Sequence, residues 1–206
     1  AVLHEAKGQR GVEPALCRLW EPILWRALKV ANPVVRAQAT ALLEDAFPLM
    51  GDDAEAAGGG GGGPAPADEL LQRQFDALRA LLEDPDPRVR VAACAATAHI
   101  LRGYWEAIPS ATSRVLLTLL VGTLAADKSS APVRAAAVGA LSALLDQPLA
   151  HAALKAALPS LRNLVHDANE RVRAAVVALL QRVSTVRGIK FTAVVPVEHL
   201  LARLAH

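Results

Sequence analysis

Three Trp, three Phe and one Tyr are the only aromatic residues among 206. Ala and Leu carry the apolar content instead. Small side chains let helices approach closely, so this composition suits stacked helix pairs better than a β-sandwich. Cysteine is equally scarce. Cys17 and Cys94 make no CxxC, and both fall in helical patterns. That argues against a disulfide framework and fits a reducing compartment. The longest apolar run, 115–126, is too short to cross a bilayer and is interrupted by Thr and Gly. The chain opens Ala-Val-Leu-His-Glu, with neither a Met nor a signal-peptide pattern. The expectation is a soluble protein with no membrane partner.

Chemistry-bearing patterns are missing as well. His4, His99, His151, His166, His199 and His206 are scattered; none pairs at i, i+4 and none sits near Cys at ligand spacing. They read as surface or interhelix histidines, and no metal site is expected. Neither a Gly-x-Ser-x-Gly elbow nor a Cys/His motif is present. The glycine run at 58–63 is not a phosphate loop, because no Gly-Lys-Ser/Thr follows and no strand precedes it. The reading is a protein with no catalytic residues, no cofactor and no small-molecule substrate.

What the chain does contain is a repeat. Asn32-Pro-Val-Val-Arg, Asp86-Pro-Arg-Val-Arg, Ser130-Ala-Pro-Val-Arg and Asn169-Glu-Arg-Val-Arg each begin with cap or turn residues and end Val-Arg. Asn, Asp and Ser accept from free helix N–H groups, and Pro fits the first turn. Each Val opens an apolar ladder at i, i+4, i+7 and i+11. The sets are Val35, Ala39, Leu42, Ala46; Val89, Ala93, Ala96, Ile100; Val133, Ala137, Ala140, Leu144; and Val172, Val176, Leu179, Val183. That is one face of an α-helix, and its chance occurrence is on the order of one in two thousand. The arginines Arg36, Arg90, Arg134 and Arg173 stand 54, 44 and 39 residues apart. Removing the Gly/Ala/Pro insertion brings the first interval close to the others. A helical period of roughly 40 residues is that of HEAT and armadillo repeats. The predicted fold is all-α: an α-solenoid of HEAT-repeat helix pairs.

Residues 1–50 are read as one helix pair with helices at 14–30 and 33–47. Its first helix carries the stripe Leu16, Leu19, Trp20, Ile23, Leu24 and Leu28. Trp20 and Trp25 at this spacing suit a core, or an anchor for a partner. Residues 51–67 form a Gly/Ala/Pro-rich loop expected to be disordered. Residues 68–185 hold three more pairs. Pro159 should kink the first helix of the fourth. Residues 186–206 are a link and the start of a further first helix at Val197. Polar capping repeats are absent at both ends, so a segment of a longer solenoid is expected.

Charge is uneven. Residues 87–206 hold 14 Lys/Arg against 6 Asp/Glu, whereas 51–86 hold 2 against 9. A basic half points to a polyanionic partner; the plainer reading is Arg-rich solvated faces. The Val-Arg arginines read as structural. Asp84 precedes Arg90 by six residues, Asp167 precedes Arg173 by six, and Asp127 precedes Arg134 by seven, which suits Arg–carboxylate ties between neighbouring turns. Arg36 has Val30 at that place, leaving it exposed or paired elsewhere. The freer cations are Arg88, Lys128, Lys155, Arg162, Arg171, Arg187 and Lys190. A row of them along one ridge would track phosphates without reading bases.

Several strings are specific beyond the repeat. Glu21-Pro-Ile-Leu-Trp-Arg-Ala-Leu-Lys, Ala46-Phe-Pro, Tyr104-Trp-Glu-Ala-Ile-Pro-Ser, His166-Asp-Ala-Asn-Glu-Arg-Val-Arg, Val186-Arg-Gly-Ile-Lys-Phe and Val197-Glu-His-Leu-Leu-Ala-Arg-Leu resemble the G-type HEAT subunits of the condensin II complex. The likeness covers nearly the whole chain except the glycine insert. It implies a non-enzymatic scaffold that grips the kleisin subunit and helps hold double-stranded DNA, with an associated pair of SMC ATPases supplying the nucleotide chemistry. It further implies nuclear, chromosomal localisation through mitosis and contact with methylated histone tails, and it assigns no kleisin-binding residue. The other function class is a protein-only HEAT adaptor of the phosphatase-scaffold or transport-receptor kind.

Overall fold

The computed structural model describes residues 12–49 and 66–204, and among these there is no strand. Ten α-helices follow one another. They are α1 (Val12–Ala27), α2 (Pro33–Ala46), α3 (Pro66–Leu82), α4 (Pro87–Tyr104), α5 (Ser110–Thr118), α6 (Ala131–Ala143), α7 (His151–Ala157), α8 (Glu170–Thr185), α9 (Phe191–Val194) and α10 (Val197–Leu204). They pair as α1/α2, α3/α4, α5/α6 and α7/α8, and α10 opens a fifth unit. The chain is an α-solenoid. Most of the expected loop at 51–67 lies outside the described residues, but its last two positions already belong to α3, which starts at Pro66.

Local chemistry sets the second helix of each pair. The Asn32, Asp86 and Asn169 side chains accept from Val34, Arg88 and Arg171 N–H at 2.9, 2.9 and 3.0 Å. Pro occupies the first turn of α2, α4 and α6, where its missing N–H costs nothing. Ser130 departs from the expected pattern: its hydroxyl caps nothing. That turn is held instead by Asp127 Oδ1, which accepts from Ser129 and Ser130 N–H.

The apolar ladders of α4, of α6 continued into Leu144, and of α8 are buried at every position. The second helices pack side by side, α2 on α4, α4 on α6 and α6 on α8, while first helices touch one another lightly. At α2 the expected ladder is only partly buried. Val35 is 36% exposed, and the covered set is Ala39, Thr40, Leu43 and Ala46. Among the described residues α2 has a second-helix neighbour on one side only, so the rim of its face stays open. The α1 stripe is likewise split. Trp20, Leu24, Trp25 and Leu28 are buried, whereas Leu19 and Ile23 are each 57% exposed. Leu16 and Cys17 have no described side-chain environment.

First helices are irregular. The α5 helix widens into a π-helical stretch, Leu119–Leu124. The first helix of the fourth pair is α-helical only to Ala157 and then runs as 3-10 helix, Leu158–His166. Pro159 sits at that change. It lacks a donor and crowds the preceding turn, so the tighter hydrogen-bond pattern takes over.

The first two pairs are joined at the end of α2. Gln74, fully buried, donates to Leu49 O (3.0 Å) and accepts from Leu49 N–H (2.8 Å). The Phe47 ring lies between Phe75 and Tyr104 at 5.8 and 5.1 Å, and Tyr104 donates its hydroxyl proton to Phe47 O. The chain is therefore anchored before the glycine insert and again in α3.

Candidate functional site

The turns between first and second helices line one edge of the solenoid, and the four Val-Arg arginines stand there. Each directs Nη1 onto backbone carbonyls of its own turn. Arg36 donates to Val30 and Ala31, Arg90 to Asp84 and Pro85, Arg134 to Asp127, and Arg173 to Asp167 and Ala168, all within 2.7–3.0 Å. The rest of the guanidinium reaches for a carboxylate of the following unit. Arg36 Nε and Nη2 fork onto Asp84 at 2.8 and 2.9 Å. Arg134 forks onto Asp167 at 2.7 and 2.8 Å. Arg90 meets Asp127 through Nη2 alone at 2.9 Å. Asp127 Oδ1 is taken by Ser129 and Ser130, which leaves buried Arg90 Nε without a partner.

This arrangement differs from the one expected from spacing. The acid six or seven residues before each arginine contributes its backbone oxygen to that arginine, while its carboxylate serves the unit before. Arg36 accordingly has an acid, Asp84, 48 residues away. Arg173 has none among the described residues, so Nε and Nη2 of its fork are open.

Two of these acids, Asp127 and Asp167, are held toward the ionised form. The Arg134 hydrogen bonds hold Asp167 below the usual carboxylate range against the cost of burial. For Asp127, burial works the other way. The hydrogen bonds from Ser129, the charge of Arg90 and the N–H of Ser130 outweigh it, and the net shift is downward. Asp86 is lowered to about 2, chiefly by its hydrogen bond from Arg88. Burial pushes the Cys94 thiol up to about 12, so it is no nucleophile.

All seven freer cations are exposed. Arg88 and Arg171 occupy the same second-turn-edge position, two residues past the caps of α4 and α8, and Lys128 lies in the corresponding turn before α6. These three share the ladder edge. Arg187 and Lys190 lie on the link beyond α8, about 24 Å away along that helix. Lys155 and Arg162 belong to the first-helix layer. One ridge therefore takes three of the seven. Arg88 is bound to Asp86 at 2.9 Å; the other six have no acidic partner among the described residues. Three of the six acids in this half are engaged: Asp127 and Asp167 in the ladder, and Asp146 with both Arg102 and Arg182.

A groove of about 1190 Å³ opens between α5 and α7 on the opposite layer, lined by Trp105, Ile108, Leu117, Val121, Leu149 and Ala153 among others. Its polar rim includes Glu106 and Arg114. Two pairings that linear spacing hides are His99 with Glu44, at 3.4 Å, and His166 with His199.

Two family models match: a HEAT repeat over residues 75–104, which is α3/α4, and the condensin II non structural maintenance of chromosomes subunit over residues 1–51. Proteins named condensin-2 complex subunit G2 from Danio rerio, Homo sapiens and Xenopus laevis are each 40% identical over 201 residues, 98% of this chain. In sequence, the chain is a relative of condensin-2 complex subunit G2. It spans 17% of the length of those condensin-2 relatives. The strings that resembled the condensin II G-type subunits thus lie in a region related to G2 throughout. No solved structure matches the chain.

Proposed function

We propose that the chain is a non-enzymatic HEAT scaffold segment of condensin II, which holds duplex DNA by its phosphates along the turn edge and works with the kleisin subunit in mitotic chromosome condensation. The observation that carries the DNA reading is the unspent positive charge. The ladder and the Arg102/Arg182 cluster engage three of the six acids of the basic half, Asp127, Asp167 and Asp146, and among the described residues six exposed cations have no acidic partner. Lys128 and Arg171, with Arg88 at partial strength, recur once per unit. Adjacent second helices stand about 8–10 Å apart, so the row is spaced for successive backbone contacts and carries no groups arranged to read base edges. The condensin-2 relatives support a place in a condensin II complex; the same proposal takes the kleisin and the SMC ATPase pair as assembly partners, the nucleus and chromosome as the location, and methylated histone tails as a further contact.

Fluorescence anisotropy of a labelled duplex, with and without a kleisin fragment, tests the DNA reading. Binding should be independent of sequence and fall linearly on a log–log plot against salt, because counterion release drives it. No binding at low salt, or a flat salt response, refutes it.

The groove between α5 and α7 favours a second reading, a protein-only adaptor of the phosphatase-scaffold or transport-receptor kind. Its lining is mostly apolar, as a groove that takes an extended peptide or a helix face would be. A pull-down from nuclear extract separates the two: kleisin and SMC subunits support the scaffold, phosphatase or transport cargo without them supports the adaptor.

A further inference from the structure

We propose that His166 and His199 form a two-imidazole site for a divalent transition metal of zinc type, clipping the fifth unit to the fourth. His166 ends the 3-10 stretch of the fourth pair and His199 lies on α10. Nε2 of His166 and Nδ1 of His199 stand 3.3 Å apart, the ring centroids 5.3 Å apart, and the ring planes are inclined by 37°. The nitrogen separation suits either of two arrangements, a shared metal ion or a direct N–H···N bond. Zn–N bonds of about 2.0–2.1 Å in a tetrahedral shell put ligand nitrogens about 3.3–3.4 Å apart, with imidazole centroids about 5.2 Å apart. A straight N–H···N bond of the same length, its rings collinear, would hold the centroids about 5.6 Å apart. The nitrogen separation fits the bite of one ion held at a point within bonding distance of both.

That point is reachable. His166 is exposed and His199 half-buried, and neither ring has a further partner among the described residues. A metal would displace only the contact between the rings. Asp167, next to His166, is committed to Arg134. Among the described residues no set of three metal-ligating side chains is assembled, so water or another molecule fills the remaining positions. Two imidazole donors without carboxylate or carbonyl select zinc, copper or nickel over magnesium and calcium. The ion would join α10 to the 3-10 stretch beneath it and set the angle of the fifth unit.

The test is a Zn²⁺ titration of the chain in a non-coordinating buffer, followed by imidazole ¹H–¹⁵N NMR and thermal unfolding. The expected result is saturation near one equivalent, with shifts confined to His166 and His199, His99 and His151 unmoved, a raised unfolding midpoint, and no response to Mg²⁺. His166→Gln and His199→Asn, both at accessible positions, should each weaken binding at least tenfold while leaving the metal-free midpoint within about two degrees. Shifts spread over all histidines, or Zn²⁺ binding that His199→Asn leaves unchanged, overturns the proposal.

Discussion

Gln74 and Arg173 show how much a single side chain can do here. Gln74 satisfies both backbone groups of Leu49 in a fully buried setting. Gln74→Ala leaves a donor and an acceptor without partners, each costing about 1–3 kcal/mol. Urea unfolding should therefore show a loss of about 2–4 kcal/mol, whereas exposed Gln72→Ala stays within about 0.5 kcal/mol. The arginines should also separate. Arg134→Ala strands Asp167 and should cost about 1–3 kcal/mol, less than a fully buried pair because water reaches its rim. Arg173→Ala removes backbone contacts only and should cost below about 1 kcal/mol. Equal losses for the two would mean that the rung to the following unit contributes nothing.

At the scale of the elements, the second helices were legible and the first helices less so. The Val-Arg ladders of α4, α6 and α8 are buried because all their members are apolar and each helix has a neighbour on either side. Val35 was misjudged for want of such a neighbour, which linear periodicity does not encode. Pro159 announced the break in the fourth first helix; the π-helical stretch at Leu119–Leu124 has no comparable marker. The ladder residues were visible but not their pairing, since a carboxylate 48 residues away is set by stacking. Because Asp127 and Asp167 ionise more readily when folded, their stabilisation is complete above the unfolded carboxylate value of about 3.9 and is lost as pH falls through the lower folded values. The thermal midpoint should drop from pH 5 toward pH 2. Asp167→Asn should flatten that slope while lowering the midpoint at neutral pH; an unchanged slope would remove the ladder from the acid response.

Over the whole molecule, ion pairing sorts charge by place. The ladder ties unit to unit and pairs three of its four arginines with acids, while the freer cations project from the solenoid. The count of 14 basic against 6 acidic side chains beyond residue 86 was plain in the sequence; which cations share an edge was not, because that depends on where each turn falls in the stack. The most direct test is the salt dependence of duplex binding by the chain and by its Lys128→Glu/Arg171→Glu variant, with Lys155→Glu/Arg162→Glu as the control of equal charge. Turn-edge reversal should weaken binding and make the log–log slope shallower by about 2, roughly one unit per lost phosphate contact, with a smaller loss in the control. Equal losses and equal slopes for the two variants would contradict a phosphate-tracking edge.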